Sequence, residues 1–412
     1  MLCFGAFWAL IQRSFPVVAV FITVSVPMVV LYCTPRVSAA ASQLGAPMQS
    51  TNPKPQIRRT FPLNKFYDTP NPLPPERAGE LIRKEEFNEY DLSPSVFAAR
   101  ILYHSRSALG QDVATSGVVL YPEGKPPAGG WPVIAWAHDV NGVARQCAPS
   151  LSRNLQHGPF LSMYVNLGYA VVATDYTGLG TIFRNAFSDM QSNAADVIYS
   201  ILAARAAVPQ LGKRWVAVGT GEGSLAVAGV AESERDIRDP DFLGGILITG
   251  LNDLEDGYEQ PNLAALLFLA YGAKSVYPQF DPKDILADKG LAELAKVAQV
   301  CGELGIEKNP SESEIARPNW RSNRFVQQYF ERNRAGQKPA YGAMFAIGDA
   351  DPHGKMAEVV ARMCKQGDVI QFEKYAASDP GSVIGDSVTD QIAWIQGRFA
   401  GRPAPSNCSE HH

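Results

Sequence analysis

The sequence predicts an α/β chain: a mostly parallel sheet with helices on both faces and an inserted block of helices. Three observations carry this. Short apolar runs bounded by Gly, Pro or Asp alternate with segments of helical spacing over much of residues 116–400. One run climbs into a glycine-dense turn, "VAVGTGEGS" (216–224), and a small-residue helix, "SLAVAGVAE", follows at once. Residues 252–338 hold helical patterns and no convincing strand.

The elements follow in order. "SGVVLYP" (116–122), "WPVIAWAHD" (131–139) and "YAVVATDY" (169–176) read as buried strands. "AADVIYSILAARAAV" (194–208) has helical spacing, and "WVAVG" (215–219) is a strand entering the glycine turn. "FLGGILITG" (242–250) and "AYGAMFAIGDAD" (340–351) are further strands, the second followed by the helix "KMAEVVARMCKQ" (355–366). "VIQFEKY" (369–375) is the last strand and "SVTDQIAWIQGRFA" (387–400) the last helix. Continuous apolar strands between helices argue for a parallel sheet covered on both faces. This places the core at 96–251 and 339–408, with 252–338 as a helical cap of the kind that roofs a site and brings apolar walls. The Pro-rich, polar stretch 41–95 reads as an extended N-terminal arm.

A chain of 412 residues is long enough for one large domain with an insertion, or for two. A formal charge of −4 and the absence of a Lys/Arg block give nucleic-acid binding little support. No pattern calls for a metal or a cofactor. The N-terminus is distinct. Arg13, the apolar run "SFPVVAVFITVSVPMVVLYC" and then "TPRVSAAAS" read as a secretory signal over residues 1–40, with cleavage near Ala39 or Ala40. The alternative is an uncleaved membrane anchor, since the run is about the ~20 residues a spanning helix needs. The expected location is therefore secreted or periplasmic. Of six cysteines, Cys3 and Cys33 leave with the signal. The remaining four suit two disulfides in an exported protein, and sequence alone allows three pairings.

The glycine turn has the grammar of a nucleophile elbow, G-x-S-x-G. Gly219 and Gly223 are the outer glycines, but the nucleophile position is Gly221, which has no side chain. A serine hydrolase of this kind also needs an acid after the next-to-last strand and a histidine after the last. "FAIGDADPHG" supplies Asp349 and Asp351, of which Asp351 sits further into the loop; the bland alternative is a loop Asp capping the helix at Lys355. The loop after the last strand, "AASDPGSVIGDS", contains no His. His353 is near Asp351 but follows the wrong strand, and His411 and His412 end the chain.

Other polar residues flank the inferred pocket. His138 and Asp139 end a strand where a hydrolase places its second oxyanion contact, although loop Asp and His are often only turn formers. Glu222 follows Gly221, so its N–H is a remaining oxyanion donor, with its carboxylate expected to face away. Thr220 and Ser224 are neighbouring hydroxyls, but an elbow aims one side chain only. Tyr176, Thr220, Gly221 and Glu222 are expected around the substrate, with Asp139.

Taken together, "ARILYHSRSALGQDVATSGVVLYP", "WAHDVNGVARQCAPSL", "GYAVVATDYTGLGT" and "RFAGRPAPSNC" resemble the secretory lipase family, α/β-hydrolases that include fungal lipase A. The resemblance spans nearly the whole chain after the signal and implies the α/β-hydrolase fold. The family's elbow, G-H-S-Q-G-G, falls on Gly219 to Ser224. Its acid falls on Asp351, and its histidine falls on Pro380 of "YAASDPG". So the resemblance implies that the acid is kept while nucleophile and base are lost. It also implies disulfides Cys147–Cys301 and Cys364–Cys408.

Losing triad members costs serine hydrolases about 10⁴ to 10⁶ in rate. Two losses at separate positions therefore argue against ordinary ester hydrolysis. Three readings follow. The first is a non-hydrolytic enzyme, a cyclase, lyase or isomerase, acting on an apolar acyl, polyketide or lipid-like substrate. Its catalytic candidates are Asp139, Asp351 and His138. The second is an inactive relative that binds a lipid-like ligand or a partner. The third is a weak esterase with a relocated nucleophile.

Overall fold

The computed structural model describes residues 60–258, 263–302, 311–349, 355–375, 378–379 and 381–410. The expected signal, Asp351, His353, Pro380, His411 and His412 lie outside them. Nine strands form one sheet in the order β1-β2-β3-β5-β4-β6-β7-β8-β9. They are β1 Leu81–Glu86, β2 Val96–Arg106, β3 Asp112–Pro122, β4 Trp131–Ala137, β5 Ala170–Thr174, β6 Leu211–Thr220, β7 Phe242–Ile248, β8 Ala343–Gly348 and β9 Ile370–Lys374. The first three strands and β5 pair antiparallel, and every pairing from β5 to β9 is parallel.

The helices are α1 Gly158–Asn166, α2 Met190–Ala207, α3 Glu222–Ile237, α4 Leu263–Val276, α5 Asp288–Val297, α6 Glu312–Ile315, α7 Arg324–Arg332, α8 Met356–Lys365, α9 Val383–Asp386 and α10 Val388–Phe399. They cover both faces of the sheet, which explains the unbroken apolar strands. In β4, Val133 and Ala135 pack among residues of α2, α3 and α8. Their neighbours Ile134 and Trp136 pack with Leu161 and Tyr164 of α1 and Trp394 of α10 on the other face. Trp215 and Ala217 of β6 join the first cluster, Val216 and Val218 the second. Burying each large side chain contributes roughly 1.5–3 kcal/mol, so neither face tolerates a polar residue cheaply.

The sequence signalled neither β1 nor β2. "LIRKEE" has no apolar alternation because β1 is an edge strand inside the stretch read as an arm, and its charges discourage pairing with another chain. β2 is interrupted by Arg100 and His104, both buried here. Arg100 Nε donates to the Tyr90 hydroxyl at 2.9 Å and its guanidinium lies 3.3 Å from the Phe87 ring centroid. His104 Nδ1 meets Asp112 at 3.0 Å.

Between β7 and β8 runs the helical block α4–α7, with its own apolar core around Leu266, Phe280, Val326 and Tyr329. It joins the sheet domain through Phe187, whose ring stacks on Phe268 at 4.7 Å, and through an Arg332–Asp189 ion pair. Both implied disulfides are present, Cys147–Cys301 and Cys364–Cys408. The first ties the loop after β4 to the segment after α5. Among the described residues no helix is long and apolar enough to cross a membrane.

Candidate active site

β5 and β6 flank β4 on opposite sides, so the strand order reverses there. In open α/β sheets, ligands bind at the carboxyl ends of the strands beside such a reversal. The loop after β4 carries His138 and Asp139, and the turn after β6 carries Gly221. The elbow geometry is intact. Gly221 has φ 56° and ψ −120°, a conformation that a side-chain-bearing residue adopts only under strain, and α3 starts directly after it. Its N–H donates to the Ile248 carbonyl at 3.1 Å. A Cβ on Gly223 would collide with the Ala137 carbonyl, so this glycine is needed for α3 to approach β4.

The vacated space above Gly221 is filled. A Cβ placed on Gly221 would fall inside the Asp139 carboxylate, far within van der Waals contact of Oδ1, Cγ and Oδ2. Asp139 Oδ1 accepts the N–H of Val140 at 2.6 Å and the N–H of Glu222 at 2.9 Å. The Glu222 N–H is the donor expected at an oxyanion, so this chain's own carboxylate takes it. Asp139 Oδ2 has no hydrogen-bond partner among the described residues.

A cleft of about 240 Å³ opens over this point. Its polar wall includes Asp139, Asp349 at the end of β8, Lys374 at the end of β9, Asn252 and Thr249; Met356, Ala357 and Phe372 form an apolar wall. Asn252 Oδ1 is buried without a partner. Lys374 is exposed and makes no ion pair or hydrogen bond among the described residues. Among the described residues no cluster fits a metal ion.

The other expected residues stand elsewhere. His138 is buried; its Nδ1–H donates to the Asp139 carbonyl at 2.6 Å and Nε2 lies 3.2 Å from the Asp175 carbonyl. Burial pushes its pKa down, so the ring is held neutral. It does not line the cleft. Tyr176 is buried too: its ring stacks on His138 at 4.2 Å and its hydroxyl donates to the His138 carbonyl at 3.1 Å. It therefore supports the loop from beneath and does not face the cleft. Thr220 completes β6 and Glu222 turns its carboxylate away, so neither of these two residues expected around the substrate lines the cleft. The Glu222 carboxylate accepts the Ser188 N–H at 2.5 Å and Asn193 Nδ2 at 2.9 Å, and burial raises its pKa to about 7. Ser224 Oγ donates to the Gly219 and Ile248 carbonyls, both at 3.0 Å, inside the core and away from any substrate.

Sequence reasoning missed Asn252, Thr249 and Lys374. The two signals available were their positions directly after β7 and at the end of β9, where this fold places its site.

The sheet order, the elbow and the position of the cleft define the α/β-hydrolase fold. Solved structures similar to it include a lipase, an esterase and a putative hydrolase. Candida antarctica lipase A has a TM-score of 0.69 at 16% identity, covering 85% of this chain and 89% of that one. The rice cell wall degrading esterase LipA from Xanthomonas oryzae has a TM-score of 0.65 at 16% identity, covering 79% and 98%. A putative hydrolase from Legionella pneumophila has a TM-score of 0.66 at 16% identity, covering 77% and 98%. No family model matches the chain. No curated relative matches it either. Likeness at this identity shows the fold alone and leaves the chemistry to the residues.

Proposed function

We propose that this chain is an exported enzyme on a lipase-like scaffold that has exchanged serine acyl transfer for carboxylate chemistry, of the cyclase, lyase or isomerase type. The observation that carries the reading is the Asp139 carboxylate standing in the space of the missing Gly221 side chain. While Oδ1 holds the Val140 and Glu222 N–H groups, an acyl oxygen has no oxyanion site there. Asp139 Oδ2 instead meets the substrate directly, with Asp349 and Lys374 across the cleft to exchange protons. Asp351, the acid implied by the resemblance, is assigned to the same proton traffic. The apolar wall of Met356, Ala357 and Phe372 suits the hydrocarbon part of a small substrate. The two disulfides support export.

The test has two parts. A fluorophosphonate probe and a p-nitrophenyl ester should give neither label nor turnover; either one would reject the loss of serine chemistry. Asp139→Asn should then abolish turnover of the substrate found by profiling, with the melting temperature kept. If Asp139→Asn binds that compound as wild type does and no product forms from either protein, the chain is a binding protein.

A further inference from the structure

A second pocket, of about 320 Å³, lies along the C-terminal part of α10 and shares no lining residue with the cleft. β9 supplies one residue to each. Phe372 lines the cleft and its neighbour Gln371 lines this pocket, since successive side chains of a strand point to opposite faces. Asp390, Trp394 and Arg398 are spaced four residues apart on α10, so they share one face of the helix. α10 then ends in a left-handed turn. Gly401 has φ 68°; its N–H donates to the Arg398 carbonyl at 3.0 Å, and the Arg402 N–H donates to the Gly397 carbonyl at 3.0 Å. This reversal brings the Arg402 side chain back over the last turn. A Cβ on Gly397 would lie 3.6 Å from Arg402 Nε and Nη2, so a longer side chain there would crowd the guanidinium.

The fold does not use up the cations at this pocket. Arg214 donates to the Arg398 and Phe399 carbonyls, so the helix end is capped without the Arg402 side chain. Arg402 is exposed, and its side chain makes no hydrogen bond or ion pair among the described residues. Arg398 is buried. Its Nη2 donates to the Pro403 carbonyl at 2.9 Å, while its Nε has no partner among the described residues. Trp394 is buried too, and its indole Nε1 also lacks a partner among them. Burial, and then the Arg402 charge, push the Arg398 pKa down, as expected of a cation without a compensating anion. Asp390 does not supply that anion. It stands two helical turns before Arg398, about 12 Å along the axis, and accepts the Tyr375 hydroxyl. Buried donors in folded proteins are nearly always paired. Two orphaned donors and two cations without a carboxylate, around one pocket, mark a place for an acceptor.

We propose that this pocket binds a small organic oxyanion, a carboxylate or a phosphate monoester carried on a compact apolar body. Arg398 and Arg402 hold its oxygens, since a guanidinium fork suits both groups, and the Trp394 indole N–H adds a further donor. Ala393, Pro403 and Pro405 enclose the body together with the Trp394 ring. The volume is that of about ten water molecules at ~30 Å³ each, more than a bare phosphate fills. This site stands or falls apart from the chemistry assigned to Asp139.

Calorimetric titration of the full chain with benzoate, phenyl phosphate, inorganic phosphate and benzyl alcohol tests this. One saturable site per chain is expected for benzoate or phenyl phosphate, about 10-fold or more tighter than for benzyl alcohol or inorganic phosphate. Tighter binding by either organic anion supports the site and identifies its oxyanion. Arg402→Gln, at an exposed position, should weaken that binding about 10- to 100-fold with the melting temperature kept, and Arg402→Lys should weaken it less. Lys374→Gln, which removes the cation of the cleft, should leave it unchanged. Binding lost in Lys374→Gln and kept in Arg402→Gln would put the anion in the cleft and overturn the proposal. So would the absence of saturable binding, or equal affinity for an organic anion and for benzyl alcohol or inorganic phosphate.

Discussion

The Glu222 N–H donates to the Asp139 carboxylate at 2.9 Å, joining the turn after β6 to the loop after β4. This contact exists because Gly221 has no side chain. Restoring the serine should therefore not restore an esterase. In Gly221→Ser the new Cβ would displace Asp139, and the residue would hold φ near +56°. The backbone alone should cost about 1–3 kcal/mol. Among the described residues no imidazole lines the cleft to activate the hydroxyl. Urea denaturation should show the loss of stability, and a fluorophosphonate probe should still leave the protein unlabelled. Strong labelling would mean that a base reaches this position after all.

Stability should rise as the pH falls from about pH 8 to about pH 5. Burial lifts Glu222, Glu232 and Glu234 from 4.5 to about 7, and Asp196 and Asp368 from 3.8 to about 6. Raised acids hold protons in the folded state that the unfolded chain has already released. Their contribution is full below the unfolded values and is lost as pH rises through 6 to 7. His138 works the other way, since its lowered pKa costs stability below its ordinary 6.5. Five acids outweigh one imidazole. Melting temperatures across this range check the sign, and Glu222→Gln should flatten the slope. A melting temperature that climbs towards pH 8 would contradict it.

Most of the parallel half of this fold was legible. β4, β5, β7 and β8 show as continuous apolar runs because helices bury both their faces, and the elbow glycines show because α3 must press against β4. β1 and β2 were hidden, one by its solvent-facing charges and the other by Arg100 and His104, whose partners are distant in sequence. The site was legible only in outline. That Gly221 lacks a nucleophile is plain from one residue. That Asp139 fills its place depends on a contact across 83 residues, which no local pattern encodes. The available hints were an acid directly after a strand end and an empty volume opposite it. Tyr176 was misplaced because a residue at a strand end can face the cleft or lie beneath it, and its φ of 64° turns it under the His138 loop.

The helical block should depend on Arg332. Its guanidinium pairs with Asp189, which is fully buried and also caps α2 by accepting the Ser192 N–H at 2.9 Å. Arg332 Nη2 donates to the Ala108 carbonyl at 3.0 Å as well. Removing the cation leaves a buried carboxylate with only its helix cap. Arg332→Ala should cost about 3–5 kcal/mol, and Arg332→Lys less, because an ammonium keeps the charge without the fork. Chemical denaturation of both variants checks this. Equal losses would show that the fork, and not the charge, holds the block.

The Cys147–Cys301 disulfide should matter more to the loop that carries Asp139 than its position at the edge of the fold suggests. It closes a separation of 154 residues, so its loss frees a long loop in the unfolded chain and should cost about 2–4 kcal/mol. It also sits within a local clasp. Gly142 bridges Cys301, the Gly302 N–H donates to the Asn141 carbonyl at 3.1 Å, and Gln146 Nε2 donates to the Gln299 carbonyl at 2.8 Å. These contacts hold residues 141–147, and Asp139 lies two residues before them. In the Cys147→Ser, Cys301→Ser double variant, amide exchange should quicken across 139–147 and stay slow in β6 and β7. The Cys364→Ser, Cys408→Ser variant, whose bridge ties α8 to the C-terminal segment, should leave exchange at 139–147 unchanged. Faster exchange throughout the sheet in the first variant would mean that the bridge stabilises the whole fold and does not specifically position Asp139.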